Sequence, residues 1–247
     1  MADYDLVWDV AGTHWYETGI SHGVLYPMDN GVYGDGVAWN GLTSVSESPD
    51  GADANDLWAD NIKYASLRSA ETFGGTIEAY TYPDEWAACD GSKSIGNGGI
   101  YVGQQPRKSF GLSYQTEQGN DVDSEIDDGY KIHLVYNCTA SPSDRQYETI
   151  NDSPDAITFS WEYTSNPVAF TDANAIAAKL KPVSCITIDS KKVISSAETV
   201  DAGQNKLNSL LQVLYGTKGE GNAAVKAKLP TPDQIYKWAT GATNPFA

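Results

Sequence analysis

The chain has 247 residues, 40% hydrophobic and 11% aromatic, enough apolar material for one large domain with a sizeable core and too much for a disordered segment. Its formal charge of −17, from 33 acids against 16 bases, excludes a general nucleic-acid binder, because phosphate affinity is supplied by Lys and Arg. No apolar run approaches the roughly 20 residues needed to cross a bilayer, and no basic start leads into an apolar stretch of the kind that directs classical export.

In chain order, residues 1–12 embed Leu6, Val7 and Trp8 among acids and read as an arm that needs something to pack on. Two short strand-like runs follow, His14-Trp15-Tyr16 and Gly23-Val24-Leu25-Tyr26, closed by the turn signal Asp29-Asn30-Gly31, whose Asn and Gly tolerate positive φ. A strand is expected from Val37 to Ser46. Residues 46–60 then read as a long acidic loop, with Glu47, Asp50, Asp53, Asp56 and Asp60 among Pro, Gly and Ala. Strand character resumes at Ile62-Lys63-Tyr64 and Ser66-Leu67-Arg68.

From Gly75 to Tyr82 β-branched and aromatic residues alternate with small or polar ones, as a half-buried strand requires. Pro83 fixes φ for a first helical turn, Asp84 and Glu85 place negative charge on its open amides, and Gly91 offers a stop. A short helix is therefore expected from Pro83, covering one face of the sheet through Trp86 and Cys89. Strands are expected over 107–116 and 130–138, the second with Ile132, Leu134 and Tyr136 on one face, separated by an acidic loop of Asp121, Asp123, Glu125, Asp127 and Asp128. The cleanest alternation is Ile157, Phe159, Trp161 and Tyr163 against Thr158, Ser160 and Glu162. Beyond it come a turn or two of helix in 172–182 and a strand over 185–188. Leu207, Leu210, Leu211 and Leu214 predict an amphipathic helix stopped by Gly216, and a last helix starts at Thr231-Pro232-Asp233. No repeat or sharp boundary divides the chain, so 1–247 reads as a single domain.

Charge is unevenly placed. Residues 1–62 carry 11 acids and no Lys or Arg, whereas 179–247 carry 5 acids and 9 bases. Such an acidic front and basic rear can attract one another between copies of the chain.

Catalytic patterns are missing. Cys89, Cys138 and Cys185 form no CxxC pair and read as buried free thiols in a reducing compartment. His14, His22 and His133 have no Gly-x-Ser-x-Gly elbow beside them, and no Walker A loop or dinucleotide fingerprint occurs. The run 121–132 imitates a calcium loop but has Ile126 where Gly is needed and Ile132 where Glu is needed. The expectation is a protein that is not an enzyme and holds no cofactor or metal.

Long runs in a fixed order carry a specific resemblance. Gly12-Thr13-His14-Trp15-Tyr16, Gly23-Val24-Leu25-Tyr26-Pro27, Ala38-Trp39-Asn40-Gly41-Leu42-Thr43-Ser44-Val45-Ser46-Glu47-Ser48-Pro49 and Ala59-Asp60-Asn61-Ile62-Lys63-Tyr64 lead into the stretch 71–91. The runs at 103–114, 129–136 and Thr149-Ile150-Asn151-Asp152-Ser153-Pro154 continue it, and Leu214-Tyr215-Gly216-Thr217 and Leu229-Pro230-Thr231-Pro232-Asp233 echo it at the C-terminal end. Together they resemble the major tail protein (tail tube protein) of phages with long non-contractile tails that infect Gram-positive hosts.

That resemblance implies a mainly β (α+β) fold, a β-sandwich or barrel of the tail-tube type with one short helix against the sheets and small C-terminal helices. It implies a structural virion protein, made in the host cytoplasm, whose stacked, hexameric rings form the tail tube through which DNA is ejected. Its partners would be copies of itself and other tail proteins (tape measure, terminator, distal tail), with DNA passing unbound along the lumen and no membrane. On this reading Leu6, Val7 and Trp8 of the arm and Glu47, Asp50, Asp53, Asp56 and Asp60 of the loop are ring-stacking candidates. The acids of the loop 121–128 would face the lumen or the next ring, and the strand 75–82 is a candidate for a sheet shared around the ring. The alternative is a carbohydrate-binding β-sandwich module, suggested by 15 Tyr and 7 Trp.

Overall fold

Alternation of period two writes the largest share of this chain's regular structure into antiparallel strands. The computed structural model describes residues 7–51, 54–69, 71–96, 98–122, 129–147, 149, 156–219, 224–242 and 245–246, so Leu6, Asp53, Asp123, Glu125, Asp127 and Asp128 lie outside the described residues. In order the elements are β1 (Tyr16–Asp29), β2 (Val32–Tyr33), β3 (Val37–Ala38), β4 (Leu42–Gly51), β5 (Ala54–Ala59), β6 (Ile62–Arg68), β7 (Glu71–Ala79), α1 (Trp86–Cys89), β8 (Lys93–Ile95) and β9 (Ile100–Val102). The second half holds β10 (Phe110–Gly119), β11 (Gly129–Ala140), β12 (Phe159–Ser165), α2 (Ala173–Ala177), β13 (Cys185–Asp189), α3 (Ser190–Ser195), α4 (Val200–Tyr215) and α5 (Pro232–Ala239).

The main sheet runs β2-β1-β10-β11-β12-β7-β4, with β13 pairing β11 and β3 pairing β1. Because β3 leads directly into β4, this pairing brings the two ends of the sheet together around one interior. The fold is mainly β with short helices. Two corrections concern its strands. The expected run at 14–16 is strand only from Tyr16, which with 23–26 belongs to one strand, β1, whose register against β10 shifts twice between Thr18 and Val24. Residues 46–60 are not a loop: β4 continues through Gly51, β5 follows, and the chain returns through β6 and β7, so 42–79 forms a two-part hairpin.

Each face of the sheet has its own core. Inside the curl, Leu25, Ile77, Phe110, Leu112, Val135 and Trp161 pack with Trp39, Trp86 and Cys89. On the outer face, Val24, Tyr26, Ile132, Leu134 and Tyr136 meet Leu207, Leu210 and Leu214 of α4 and Ile235 and Trp238 of α5. Leu25 thus points in while its neighbours Val24 and Tyr26 point out, as a pleated strand dictates. In β11 the parity changes at Asn137, whose φ of +47° marks a bulge: Ile132, Leu134 and Tyr136 face the helices, and Cys138 and Ala140 face the interior.

The helix after β7 is shorter than expected. Pro83, Asp84 and Glu85 form a turn, in which the Trp86 amide donates to the Pro83 carbonyl, and α1 itself is one turn. Asp84 and Glu85 therefore precede the helix and do not sit in its first turn. Trp86 and Cys89 are fully buried as expected, and Gly91 stops the helix with φ +80°. The C-terminal helices follow their sequence signals: α4 ends on Gly216 at φ +73°, and Thr231 and Gln234 form a capping box on α5 with Pro232 in its first turn.

The strand expected over 75–82 is β7, ending at Ala79. Both its edges are taken inside the chain, by β12 and β4, so it cannot itself join a neighbour's sheet. Gly75 lies between Tyr163 and Glu47 in that register, and a Cβ there would come within 2.0 Å of the Ser46 carbonyl oxygen and 2.7 Å of the Tyr163 hydroxyl. Gly75→Ala is expected to cost about 1–3 kcal/mol by overpacking. Each kcal/mol lowers the thermal midpoint of a chain this size by about 2–4 °C; calorimetry checks it, and an unchanged midpoint would remove Gly75 from the closure of the sheet.

Candidate assembly surfaces

The outer part of the 42–79 hairpin stands apart from the main sheet, because β5 and β6 pair only with each other. Their turn is Asp60-Asn61, with φ of +51° and +64°, the left-handed pair that a two-residue hairpin turn demands. Register places Leu57, Ala59, Ile62, Ala65 and Leu67 on one face, with Asn55 at its base opposite Leu67. Asp56, Trp58, Lys63, Ser66 and Arg68 share the other, where Asp56 and Lys63 form an ion pair of 2.7 Å. The hairpin is therefore amphipathic, yet Leu57, Ile62 and Leu67 are 42%, 64% and 56% exposed. A two-stranded hairpin is marginal in water by itself, and this one leaves its apolar face uncovered.

The N-terminal arm is fastened at its base. Asp121 accepts from the amides of Gly12 (3.0 Å) and His14 (3.3 Å), and its other oxygen lies 3.0 Å from His14 Nδ1. Lys191 lies over the Trp15 ring at 3.7 Å. Val7 and Trp8, beyond these anchors, are exposed. Asp121, a candidate for a lumen or inter-ring contact, is thus engaged within the chain.

Glu47 also has a place that sequence reading missed. Its carboxylate accepts from the Tyr114 hydroxyl at 2.6 Å, and Cys185 Sγ lies 3.5 Å away. His133 stacks flat on Tyr114, with ring centroids 4.7 Å apart, and its side chain is only 12% exposed. His133 Nδ1 lies 3.5 Å from Glu47, which is ion-pair range but long for a hydrogen bond. On its other side Nε2 lies 3.1 Å from Thr116 Oγ1, and that hydroxyl donates to Glu17 at 2.6 Å. Lys131 pairs with the same Glu17. One imidazole therefore sits between carboxylates from β1 and β4 and ties both to β10 and β11. Asp50 and Asp60 remain exposed, whereas Asp56 is half-buried against Lys63.

Front and rear charges also meet within the chain, since Asp35 pairs with both Lys226 and Lys228. The lysine contacts hold the Asp35 carboxyl below its ordinary value. A cleft of about 360 Å³ lies over α1, where Tyr82 and Tyr101 flank an Asp90–Arg145 pair. Burial raises the Asp90 carboxyl, against the pull of Arg145 and Arg107. Burial also pushes the Cys89 and Cys185 thiols up to about 12. Among the described residues no group of three or more His, Cys, Asp and Glu is arranged to hold a metal ion, and no helix is long and apolar enough to cross a membrane.

Glu47 is held below the usual carboxylate value by His133 first, then by the Tyr114 hydroxyl, against burial. A carboxyl depressed on folding stabilises the protein above its unfolded pKa, and that contribution is lost as pH falls through the folded value. Glu47→Gln is therefore expected to cost about 1–2 kcal/mol at neutral pH, and to lose less midpoint than the parent on acidification to about pH 3. Thermal melts at the two pH values check this; parallel losses would mean that Glu47 carries no pH-dependent stability.

The chain matches a protein-family model described as phage tail tube protein over residues 32–210, well over half of its length. No curated protein matches it.

Proposed function

The chain belongs to the phage tail tube protein family, and on that premise we propose that it forms stacked, hexameric rings whose lumen is the conduit for DNA ejection into the host. Membership of the family carries the coarser statements: a structural role in the virion tail, as a homo-oligomeric tube assembled with other tail proteins. The tape-measure, terminator and distal tail proteins are the partners expected at its core and ends, and the protein performs no catalysis. Synthesis takes place in the host cytoplasm before assembly.

The observation that carries the finer reading is the β5–β6 hairpin, whose apolar face is finished in shape but uncovered. Covering it with a neighbouring copy removes that apolar surface from water and protects the free strand edges on either side. The arm, anchored at Gly12 and His14 with Val7 and Trp8 exposed, supplies a second contact of the same kind. Of the loop acids, Asp50, Asp56 and Asp60 lie along the stacking hairpin, while Glu47 and Asp121 position the elements that stack. A net charge of −17 suits a tube that must pass DNA, because acidic walls repel phosphate and the duplex slides without sticking.

Negative-stain electron microscopy of the purified protein tests the reading: rings and tubes are expected at high concentration, and a persistent monomer overturns it. Replacing residues 54–68 by a two-residue Asn-Gly turn is expected to leave the barrel folded, with the parent's near-ultraviolet circular dichroism, and to abolish stacking. Tubes of parental length from that variant would remove the hairpin from the contact.

A further inference from the structure

A tube built from one kind of chain needs head-to-tail contacts, in which two different patches on each copy are complementary. The hairpin 54–68 supplies one patch, and the structure contains a second unpartnered sheet face that matches it. Strands β8 and β9 pair only with each other. Register places Lys93, Ile95, Ile100 and Val102 on one face and Ser94 and Tyr101 on the other. Tyr101, itself 52% exposed, borders the cleft over α1 on the second face, and the first face is the aliphatic one. There Ile95, Ile100 and Val102 are 47%, 60% and 41% exposed.

Charge gives the two faces a direction. The apolar face of β5–β6 ends at Asp60 in its turn, and that of β8–β9 ends at Lys93 at its open end. Among the described residues neither Asp60 nor Lys93 forms an ion pair within the chain, whereas Asp56 with Lys63 and Asp90 with Arg145 do. Laying the tip of one hairpin across the base of the other brings Ile62 onto Ile100 and Asp60 beside Lys93. Each copy presents both faces, so the contact repeats without self-pairing.

We propose that the 54–68 hairpin of one copy docks its Leu57–Ile62–Leu67 face on the Ile95–Ile100–Val102 face of a second copy, with Asp60 and Lys93 setting the direction. The proposal rests on the tube reading and names the surface that receives the stacking hairpin. Two hairpin faces fall at the low end of interface sizes, below about 1,200 Å². A single contact is therefore weak, and its repetition around and along the tube supplies the avidity. This keeps isolated copies apart and makes assembly steep in concentration.

The test uses the full chain. Ile62→Cys with Ile100→Cys in one polypeptide, oxidised under assembly conditions, is expected to give a ladder of covalent multimers beyond the dimer, with Cys185 alone in the parent as the background. Ile100→Asp is expected to raise the concentration needed for tubes by about tenfold or more, since it places a charge in an apolar contact. Asp60→Lys and Lys93→Asp should each weaken assembly, and the double swap should restore it, a rescue that a folding defect would not show. Parent tubes together with a normal tube-forming concentration for Ile100→Asp and no ladder would overturn the pairing and leave the tube reading standing. Absence of tubes from the parent would overturn both.

Discussion

The packing of three tryptophans inside the curled sheet is the contact on which the other elements depend. Trp86 of α1 lies 4.7 Å from Trp39 and 5.4 Å from Trp161, centroid to centroid, and Phe110 closes against it at 4.9 Å. These rings come from the β3–β4 connection, the helix after β7, and strands β10 and β12. No two of the strands can separate without opening that cluster, and aromatic pairs of this kind contribute beyond the area they bury. The 42–79 hairpin is clamped at its root by the same cluster, because Ile77 and Ala79 of β7 belong to it. A projecting hairpin is useful for assembly only if its base is rigid, and here the base is built into a fully buried core, with Ile77 and Ala79 closed off from solvent.

Above that apolar cluster, the imidazole of His133 performs a polar version of the same task. Glu17 and Glu47 approach it from strands that the sheet order places far apart, and Tyr114 supports it from below. Two carboxylates near one another repel unless cationic or donor groups stand between them, and Lys131, Thr116 and the Tyr114 hydroxyl supply those groups. The excess of acid over base is thus managed locally where the strands cross, and on the projecting hairpin Asp56 is likewise paired with Lys63.

Much of this arrangement was legible in the residues. The alternation at Phe159, Trp161 and Tyr163 gave a strand with those rings turned inward, and the leucines of α4 with Gly216 gave a helix with its stop. The turn at Asn30-Gly31 and the capped start of α5 were equally local, and local signals survive into the fold. The hairpin tip was hidden because Pro49, Gly51 and the alanines and acids that follow have poor strand propensity, and because Tyr64 interrupts the alternation where the register shifts between Leu57 and Trp58. Helix α3 was missed since Ser190, Lys191 and Lys192 show no apolar period; it is set by the Asp189 cap and by packing on α4. The role of Glu47 depends on Tyr114 and His133, far along the chain, and no local pattern can reveal such a meeting.

The spacing of the strand partners also orders events in time. The pairings of β5 with β6 and of β4 with β7 lie within residues 42–79, whereas β7 must wait for β12 at its other edge and β1 for β10, with Tyr26 opposite Gly111. Joining neighbours along the chain costs less entropy than closing a long loop. As the chain leaves the ribosome, the two arms of the hairpin are therefore both present before the sheet that will hold it can close. The surface proposed for other copies is specified first and the body that presents it last, so the young chain's acidic repulsion would have to keep copies apart during that interval.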